Sequence, residues 1–441
     1  MSETSATEGH AERRSLRDFL TIWSGQAISL LGSGLVQFSL VWWLTESTGS
    51  AIVLGLASML ALLPQVFLGP FAGALIDRWD RRKVMIVADS VIALATVALA
   101  VLFRLGWVQI WHVCALMFIR ATGGAFHWPA MQASTPLMVP RQHLSRIAGL
   151  NQTLYGVNNI LTPPLGALLL QVMPVEAVLA IDVGTAVLAI APLLLIPVPQ
   201  PKRQVAARAA DGPSAVLADL REGLRFVWTW RGLAIVLAMA SILNLLVNPG
   251  FALLPILVTD HFHGGALQLA WLNSAWGVGM LLGGVVLGLW GGLRSRIVTA
   301  MLALALQGLG LLVIGLTSAS MFMPALGALV FSGFMNPIVN GSFTAALQAV
   351  VPPEMQARVF TLVMSGAAAM SPLGMVIAGP VADAFGVTVW FVIGGMATTL
   401  MAVSMFFVPA VMRIEQDGAG RPAQAAELST YSDRALREAD Q

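Results

Sequence analysis

Apolar runs of roughly 20 residues or more recur twelve times along this chain, and that repetition constrains its fold more than any motif does. Each run is long enough to carry a helix through a bilayer core about 30 Å thick, whereas a barrel strand needs about half that length. The runs cover residues 19–44, 51–76, 84–104, 107–134, 146–172, 175–198, 232–258, 266–290, 297–316, 320–346, 358–381 and 387–412. Backbone in lipid must satisfy its own hydrogen bonds, so helices are expected throughout. Only 10% of residues are charged and the mean hydropathy is +0.80, against about 25% charged residues in soluble proteins. An all-α integral membrane protein of twelve transmembrane helices is predicted.

Basic residues orient such a chain, because Lys and Arg near helix ends stay on the cytoplasmic side. Alternate loops and both ends hold 22 of the 24 basic residues; Arg104 faces the other side and Arg120 lies inside a span. Both termini are therefore expected in the cytoplasm, with the protein in the inner (plasma) membrane. The formal charge of +2 hides this asymmetry, so a pI near 9.1 is no argument for nucleic acid. The polar opening MSETSATEGHAE has no charged start leading into a short apolar core and a small-residue cleavage site, so no cleaved signal peptide is expected. Cys114 is the single cysteine, which excludes an internal disulfide and any multi-cysteine metal site. Asp260, His261 and His263 are three potential ligands without a fourth, a weak metal site. Neither a phosphate-cradling loop nor a nucleophile–base constellation is recognisable, so no metal, cofactor or enzymatic activity is expected.

The chain divides into a polar tail over 1–18, a six-span half over 19–198, a linker over 199–231, a second half over 232–412 and a polar tail over 413–441. In the linker, Leu217, Leu220, Leu224 and Val227 share one helical face, as in a helix lying on the membrane surface. The halves repeat weakly. Val139-Pro140 followed by Arg146 matches Val351-Pro352 followed by Arg358, and Pro164-Leu165-Gly166 matches Pro372-Leu373-Gly374. Two pseudo-symmetric halves with a binding site near the midplane between them follow.

Six charges crowd the second loop: Asp77, Arg78, Asp80, Arg81, Arg82 and Lys83. Its counterpart in the second half, GLWGGLRSR at 288–296, keeps Arg294 and Arg296 but no acid. A carboxylate at the membrane surface can pair with arginines or meet the positive N-terminus of a helix, in contacts that form and break cheaply. Pure topology marking is the alternative role.

The twelve spans and GALIDRWDRRK between the second and third resemble the major facilitator superfamily. Gly73, Asp77, Arg78, Arg81 and Arg82 fill its loop signature, and Asp80 replaces the usual glycine. Within that superfamily the chain resembles the drug:proton antiporter branch that includes macrolide efflux proteins and the enterobactin exporter. That likeness rests on Arg120 with Gly124, TPPLGA at 162–167, Ile181-Asp182 and DLREGLRFVW. Pro163 and Gly166 fall on the fifth-helix exporter motif, while Thr162 and Ala167 depart from it. The resemblance implies alternating access, with Asp77, Arg78 and Arg81 latching the halves on the cytoplasmic side in the outward-facing state. It also implies a cavity lined by the first, fourth, seventh and tenth helices.

Embedded ionisable residues are functional candidates because charge in the bilayer costs a few kcal/mol or more. Arg120 is either a cavity cation or a structural anchor. Asp182, and less so His127, are candidates for carrying a proton, with Arg120 tuning a carboxylate; Asp89 is expected to pair with an arginine of the loop. Polar residues four apart or nearly so share helix faces that must turn away from lipid. These are Gln26, Ser29, Ser33 and Gln37; Asn151, Tyr155, Asn158 and Thr162; Asn244 and Asn248; and Asn336 and Asn340. With Arg120 and Trp128 they are cavity candidates, although bonding between helices would suit them too.

Taken together, these residues and the resemblance lead to the expectation of a secondary exporter of bulky amphipathic or apolar small molecules, such as drugs or macrolides, driven by proton antiport. A monomer in contact with membrane lipid is expected. Alternatives are a siderophore or lysolipid transporter of the same fold, and a membrane receptor or scaffold that transports nothing.

Overall fold

In the computed structural model, which describes residues 2–76, 79–200, 230–351, 359, 363 and 366–415, every regular element is helical. Twelve long helices carry the fold. They are α1 (Ser2–Thr48), α2 (Ala51–Ile76), α3 (Arg81–Arg104), α4 (Ile110–Met138), α5 (Leu144–Val172) and α6 (Val175–Leu195), then α7 (Arg231–Ala252), α8 (Ala266–Trp290), α9 (Arg296–Leu316), α10 (Phe322–Val350), α11 (Ser371–Phe385) and α12 (Thr388–Met405). Ten of the described helices are long and apolar enough to cross a membrane by composition alone. The two that fall short are α4, which carries Arg120 and His127, and α5, with its asparagines; they are the helices whose polar faces concern the site.

Element ends follow local chemistry. The expected seventh span, 232–258, breaks at Leu253, because Pro255 lacks an N–H and cannot continue the helix. A short turn at Leu254–Ile256 and a π-helical turn at Leu257–His261 finish that segment. The expected eleventh span ends at Phe385 rather than at 381, where Gly386 with φ 82° permits a reversal that a side chain would strain. The Asp80 carboxylate accepts from the Lys83 N–H at the start of α3, and the Ser295 hydroxyl accepts from the Val298 N–H at the start of α9. The proposed surface helix in the linker and the Arg358 end of the repeat lie outside the described residues.

The two halves share one packing plan. In the first, α1 packs on α5 and α6, α3 on α4 and α6, and α2 on α4. Adding six to every number gives the second half: α7 on α11 and α12, α9 on α10 and α12, and α8 on α10. Between halves α2 meets α11 and α8 meets α5, a pair of contacts that the same operation exchanges. The expected twelve-helix, two-half architecture is the observed one.

Twelve crossings return the chain to the side from which it starts, here termed the terminal side, opposite the far side. Apolar burial differs between them. On the far side one core joins both halves, from Leu40, Leu44, Ala51 and Leu54 to Leu253, Leu257, Ala378 and Ala382. On the terminal side each half has its own described core, around Phe19, Met85 and Met131 in the first and Leu233, Met301 and Val363 in the second. Among the described residues the bundle is thus sealed at the far side, and its apolar cores are parted toward the terminal side.

Candidate functional site

The far-side seal is built on close backbone approach. A Cβ added at Gly55 of α2 would lie 2.8 Å from the Met375 carbonyl of α11, and one at Gly379 would strike the backbone of Ile52. On the other seam, the Ser274 hydroxyl of α8 donates to the Ile160 carbonyl of α5 at 2.7 Å. Beneath the seal a cavity of about 390 Å³ lies between the halves, lined by Gln37, Asn158 and Pro163 of the first and by Phe251, Asn273 and Trp276 of the second. Gly166 keeps α5 close to α1, since a Cβ there would sit 2.9 Å from the Phe38 ring.

Inside the first half, polar side chains form two layers that share α1, α3 and α4, with α6 joining the deeper one. In the deeper layer, Arg120 of α4 donates to Asp182 of α6 at 2.6 Å, to the Ser33 carbonyl of α1 at 3.2 Å and to the Thr96 hydroxyl of α3 at 3.4 Å. The Ser33 hydroxyl donates to the other Asp182 oxygen at 3.2 Å. Both charged side chains are at least nine-tenths buried, at 10% and 3% exposure. The second layer lies seven residues away on each shared helix, about 10 Å toward the terminal side at helical rise. There Gln26 of α1 donates to Asp89 of α3 at 3.0 Å, and His127 Nε2 of α4 stands 3.4 Å from the other Asp89 oxygen. The seven-residue step is two helical turns, so one face of α1, α3 and α4 carries both layers.

These partners differ in part from those the sequence suggested. Asp89 was expected to meet a loop arginine, but the described loop arginines turn to helix ends. Arg81 donates to the Ala133 carbonyl at 2.7 Å near the end of α4. Arg82 donates to the Leu193 and Leu194 carbonyls in the last turn of α6. Those two carbonyls lack helical N–H partners and carry the negative end of the helix dipole, so the Arg82 guanidinium settles there. The Arg82 fork serves two successive carbonyls, which one ammonium does not match. Arg82→Lys is accordingly expected to lower stability by about 1 kcal/mol, measured as the unfolding midpoint of the detergent-purified protein. An unchanged midpoint would show that charge alone suffices. Gly73 lies within α2, and Asp77 and Arg78 lie outside the described residues.

The second half repeats this corner with substitutions. Ser295 replaces Asp80 as cap, and Arg296 replaces Arg81, donating to the Ala345 carbonyl at 2.7 Å. The side chain of Gln200 accepts from the Arg81 N–H and donates to Asp80; Glu415, 215 residues later, accepts from the Arg296 N–H and the Ser295 hydroxyl. The acid missing from the second-half loop is therefore supplied from beyond α12.

The remaining cavity candidates divide by half. Trp128 stacks edge-on to Tyr155 with ring centroids 5.2 Å apart. Asn158 accepts from Thr162 at 2.8 Å, and Asn151 is turned to helix bonding, accepting from the Trp23 indole at 2.7 Å. In the second half Asn244, Asn248, Asn336 and Asn340 all line a single cavity of about 390 Å³. Asn248 donates to Asn244 at 2.9 Å and to Ser371 at 2.6 Å, and Asn340 donates to Asn336. His261, a weak ligand candidate, is bonded to the Thr317 carbonyl at 2.8 Å.

Residues 14–430 match the family described as transmembrane secretion effector. The chain belongs to that family. Similar proteins include macrolide efflux protein A of Streptococcus pyogenes, 33% identical over 90% of this chain and 97% of its own length. The multidrug efflux pump Tap of Mycolicibacterium fortuitum is 28% identical over 87% of this chain and 94% of its own. Among solved structures, a D-xylose–proton symporter aligns with a TM-score of 0.66 at 14% identity, covering 90% of this chain and 98% of that one. The nucleoside transporter NupG aligns at 0.64 and 13%, covering 88% and 98%. These structural likenesses show the fold, and the family makes the chain a multi-pass membrane transporter with a small-molecule substrate.

Two features of the site went unnamed in the sequence reading. The pairing of Asp89 with His127 joins residues 38 positions apart on different helices, and no spacing rule connects them. Gln307 is one amide in the apolar run LALALQGLG, a visible signal, since a lone amide in a span must face protein or water rather than lipid.

Proposed function

We propose that this chain exports bulky amphipathic or apolar drug-like molecules across the plasma membrane by alternating access, exchanging them for protons. The observation that carries the reading is the bundle sealed at the far side and parted toward the terminal side, in a family whose relatives bear the names of efflux proteins. Placing 22 of 24 basic residues on the terminal side makes that side cytoplasmic, so this conformation faces inward and admits solute from the cytoplasm or inner leaflet. The halves over 19–198 and 232–412 act as two rocking bodies in a monomer, linked by 199–231. In the opposite conformation Asp77, Arg78 and Arg81 clamp the cytoplasmic side.

Charge distribution supports assigning proton coupling to the first half. Asp182 is committed to Arg120, so the exchanging group in this reading is the Asp89–His127 pair, nearer the cytoplasmic opening and held by a neutral amide. Away from the helix ends, the titratable and charged groups of the neighbouring described spans are Arg120 of α4, Asp182 of α6 and Tyr155 of α5, with Arg17, Asp18, Glu46, His112, Cys114, Arg146 and Glu176 nearer those ends; α2 contributes none and α1 faces the pair with Gln26. An acidic cargo such as a siderophore is disfavoured because the Arg120 guanidinium is already occupied by a carboxylate and a carbonyl.

The test is accumulation of erythromycin and of ethidium in pump-deficient cells expressing the protein, with and without protonophore. Lower accumulation reversed by protonophore is expected, and at least a tenfold loss of export in His127→Asn and Asp77→Asn at equal membrane levels. Unchanged accumulation of both probes by folded protein would overturn the export reading. Export indifferent to protonophore would remove the proton.

A further inference from the structure

The pseudo-symmetry of the halves aligns the charged layers of the first with a hollow in the second. Corresponding residues lie 215 apart on α3 and α9, as Arg81 and Arg296 do, and 212 apart on α4 and α10, as Ala133 and Ala345 do. By these offsets Asp89 corresponds to Leu304, Thr96 to Leu311 and His127 to Val339. All three counterparts line the cavity of about 390 Å³ enclosed by α7, α9, α10 and α12. Arg120 corresponds to Ser332, which is spent on the Gln307 backbone carbonyl. Where one half holds ions, the other therefore holds uncharged space.

That space is not simply apolar. Among the described residues its lining carries no ionisable side chain, but four asparagines, Gln307 and Thr398 face it beside Met239, Met301 and Phe343. Most of these polar groups are satisfied within the protein: Asn248 by Asn244 and Ser371, Thr398 by the Gly394 carbonyl. Gln307 is the exception. It is only 8% exposed, it lines the cavity, and its side-chain amide has no hydrogen-bond partner among the described residues. Its amide is not among the sealed-off unpartnered atoms of the described residues, so it opens onto the cavity and is free to bond what enters there.

We infer that this cavity is a subsite for an uncharged ring of the transported molecule bearing hydroxyl or carbonyl groups, with the Gln307 amide as its hydrogen-bonding floor. An amide offers both donors and an acceptor, so it matches hydroxyl, ether and carbonyl groups alike. The absence of charge in the lining gives a cation or carboxylate nothing to pair with, and desolvating one there is costly. The methionines adapt to varied apolar outlines, which suits several ring shapes. Asn340, exposed, leaves its end of the lining open. The subsite rests on the export reading and refines its cargo.

The experiment measures binding to the full-length protein in nanodiscs by calorimetry. The probes are erythromycin, which carries a neutral sugar ring and a lactone, and tetraphenylphosphonium, an apolar cation with no hydrogen-bonding group. Gln307→Leu removes the amide at nearly constant volume, and Ala367→Phe fills the cavity from the α11 side. In both, erythromycin binding is expected to weaken at least tenfold, with tetraphenylphosphonium within twofold of wild type and the unfolding midpoint preserved in Gln307→Leu. Erythromycin affinity within twofold of wild type in both variants would overturn the subsite while leaving export intact. Failure of erythromycin to bind the wild type would overturn it too, and export of tetraphenylphosphonium from the same cells would then show that the export reading survives.

Discussion

Asp182→Ala is expected to yield a protein that unfolds far more readily than wild type, with a loss of about 3 to 5 kcal/mol of stability. The reason is asymmetric. Removing the carboxylate leaves Arg120 about nine-tenths buried with a carbonyl and a hydroxyl as its remaining partners, and neither neutralises it. A guanidinium cannot shed its proton to escape, so the cost of its charge in a dry interior is borne in full. The double replacement Arg120→Met with Asp182→Ala removes both charges and is expected to recover most of the loss. Fluorescence-detected size exclusion after heating reads this directly. Equal stability of wild type and Asp182→Ala would mean that water reaches the pair, and Asp182 would return as a proton carrier.

Gly379→Val is expected to cost the transporter its far-side seal rather than its fold. The added side chain meets the backbone of Ile52, which has no rotamer by which to withdraw, so α2 and α11 must separate. Overpacking of this kind costs about 1 to 3 kcal/mol, enough to shift a two-state equilibrium by roughly 5- to 150-fold. Export should fall at least tenfold with the protein still in the membrane, while Gly284→Val, whose added Cβ meets open space, should behave as wild type. A cysteine placed at Ala51, which is 3% exposed, in a Cys114→Ser background reports on the seal. Impermeant maleimide should label it in Gly379→Val and spare it in the parent. Labelling that is the same in both would locate the seal elsewhere.

Much of this molecule is legible in one dimension because lipid imposes a single rule at every position. Backbone must close its own hydrogen bonds and side chains facing lipid must be apolar, so twelve spans and their order can be read from residues 19 to 412 without knowing any contact. The same rule exposes Arg120 and Asp182 as exceptions and the Gln26–Ser33 and Asn336–Asn340 stripes as inward faces, and it applies equally to Gln307, which the sequence reading did not name. The signature from Gly73 to Arg82 is equally plain, while the internal repeat is weaker, carried by Val139-Pro140 and Val351-Pro352.

Pairing could not be read in this way. Which cation meets which acid depends on how helices far apart in sequence are rotated against one another, and a helix face is about 100° wide, too broad to choose a partner. Arg81 and Arg82 could have met Asp89; they bond carbonyls of α4 and α6 instead, which leaves Asp89 to Gln26 and His127. The sequence by itself determined that this chain crosses the membrane twelve times in two related halves and buries charge only in the first. Tertiary structure decided that the buried charge is spent in two layers of α1, α3, α4 and α6, that the second half keeps a hollow in their place, and that the bundle closes on the far side. Burial of apolar area sets the first of these residue by residue, while the second depends on the relative placement of helices that share no local interaction.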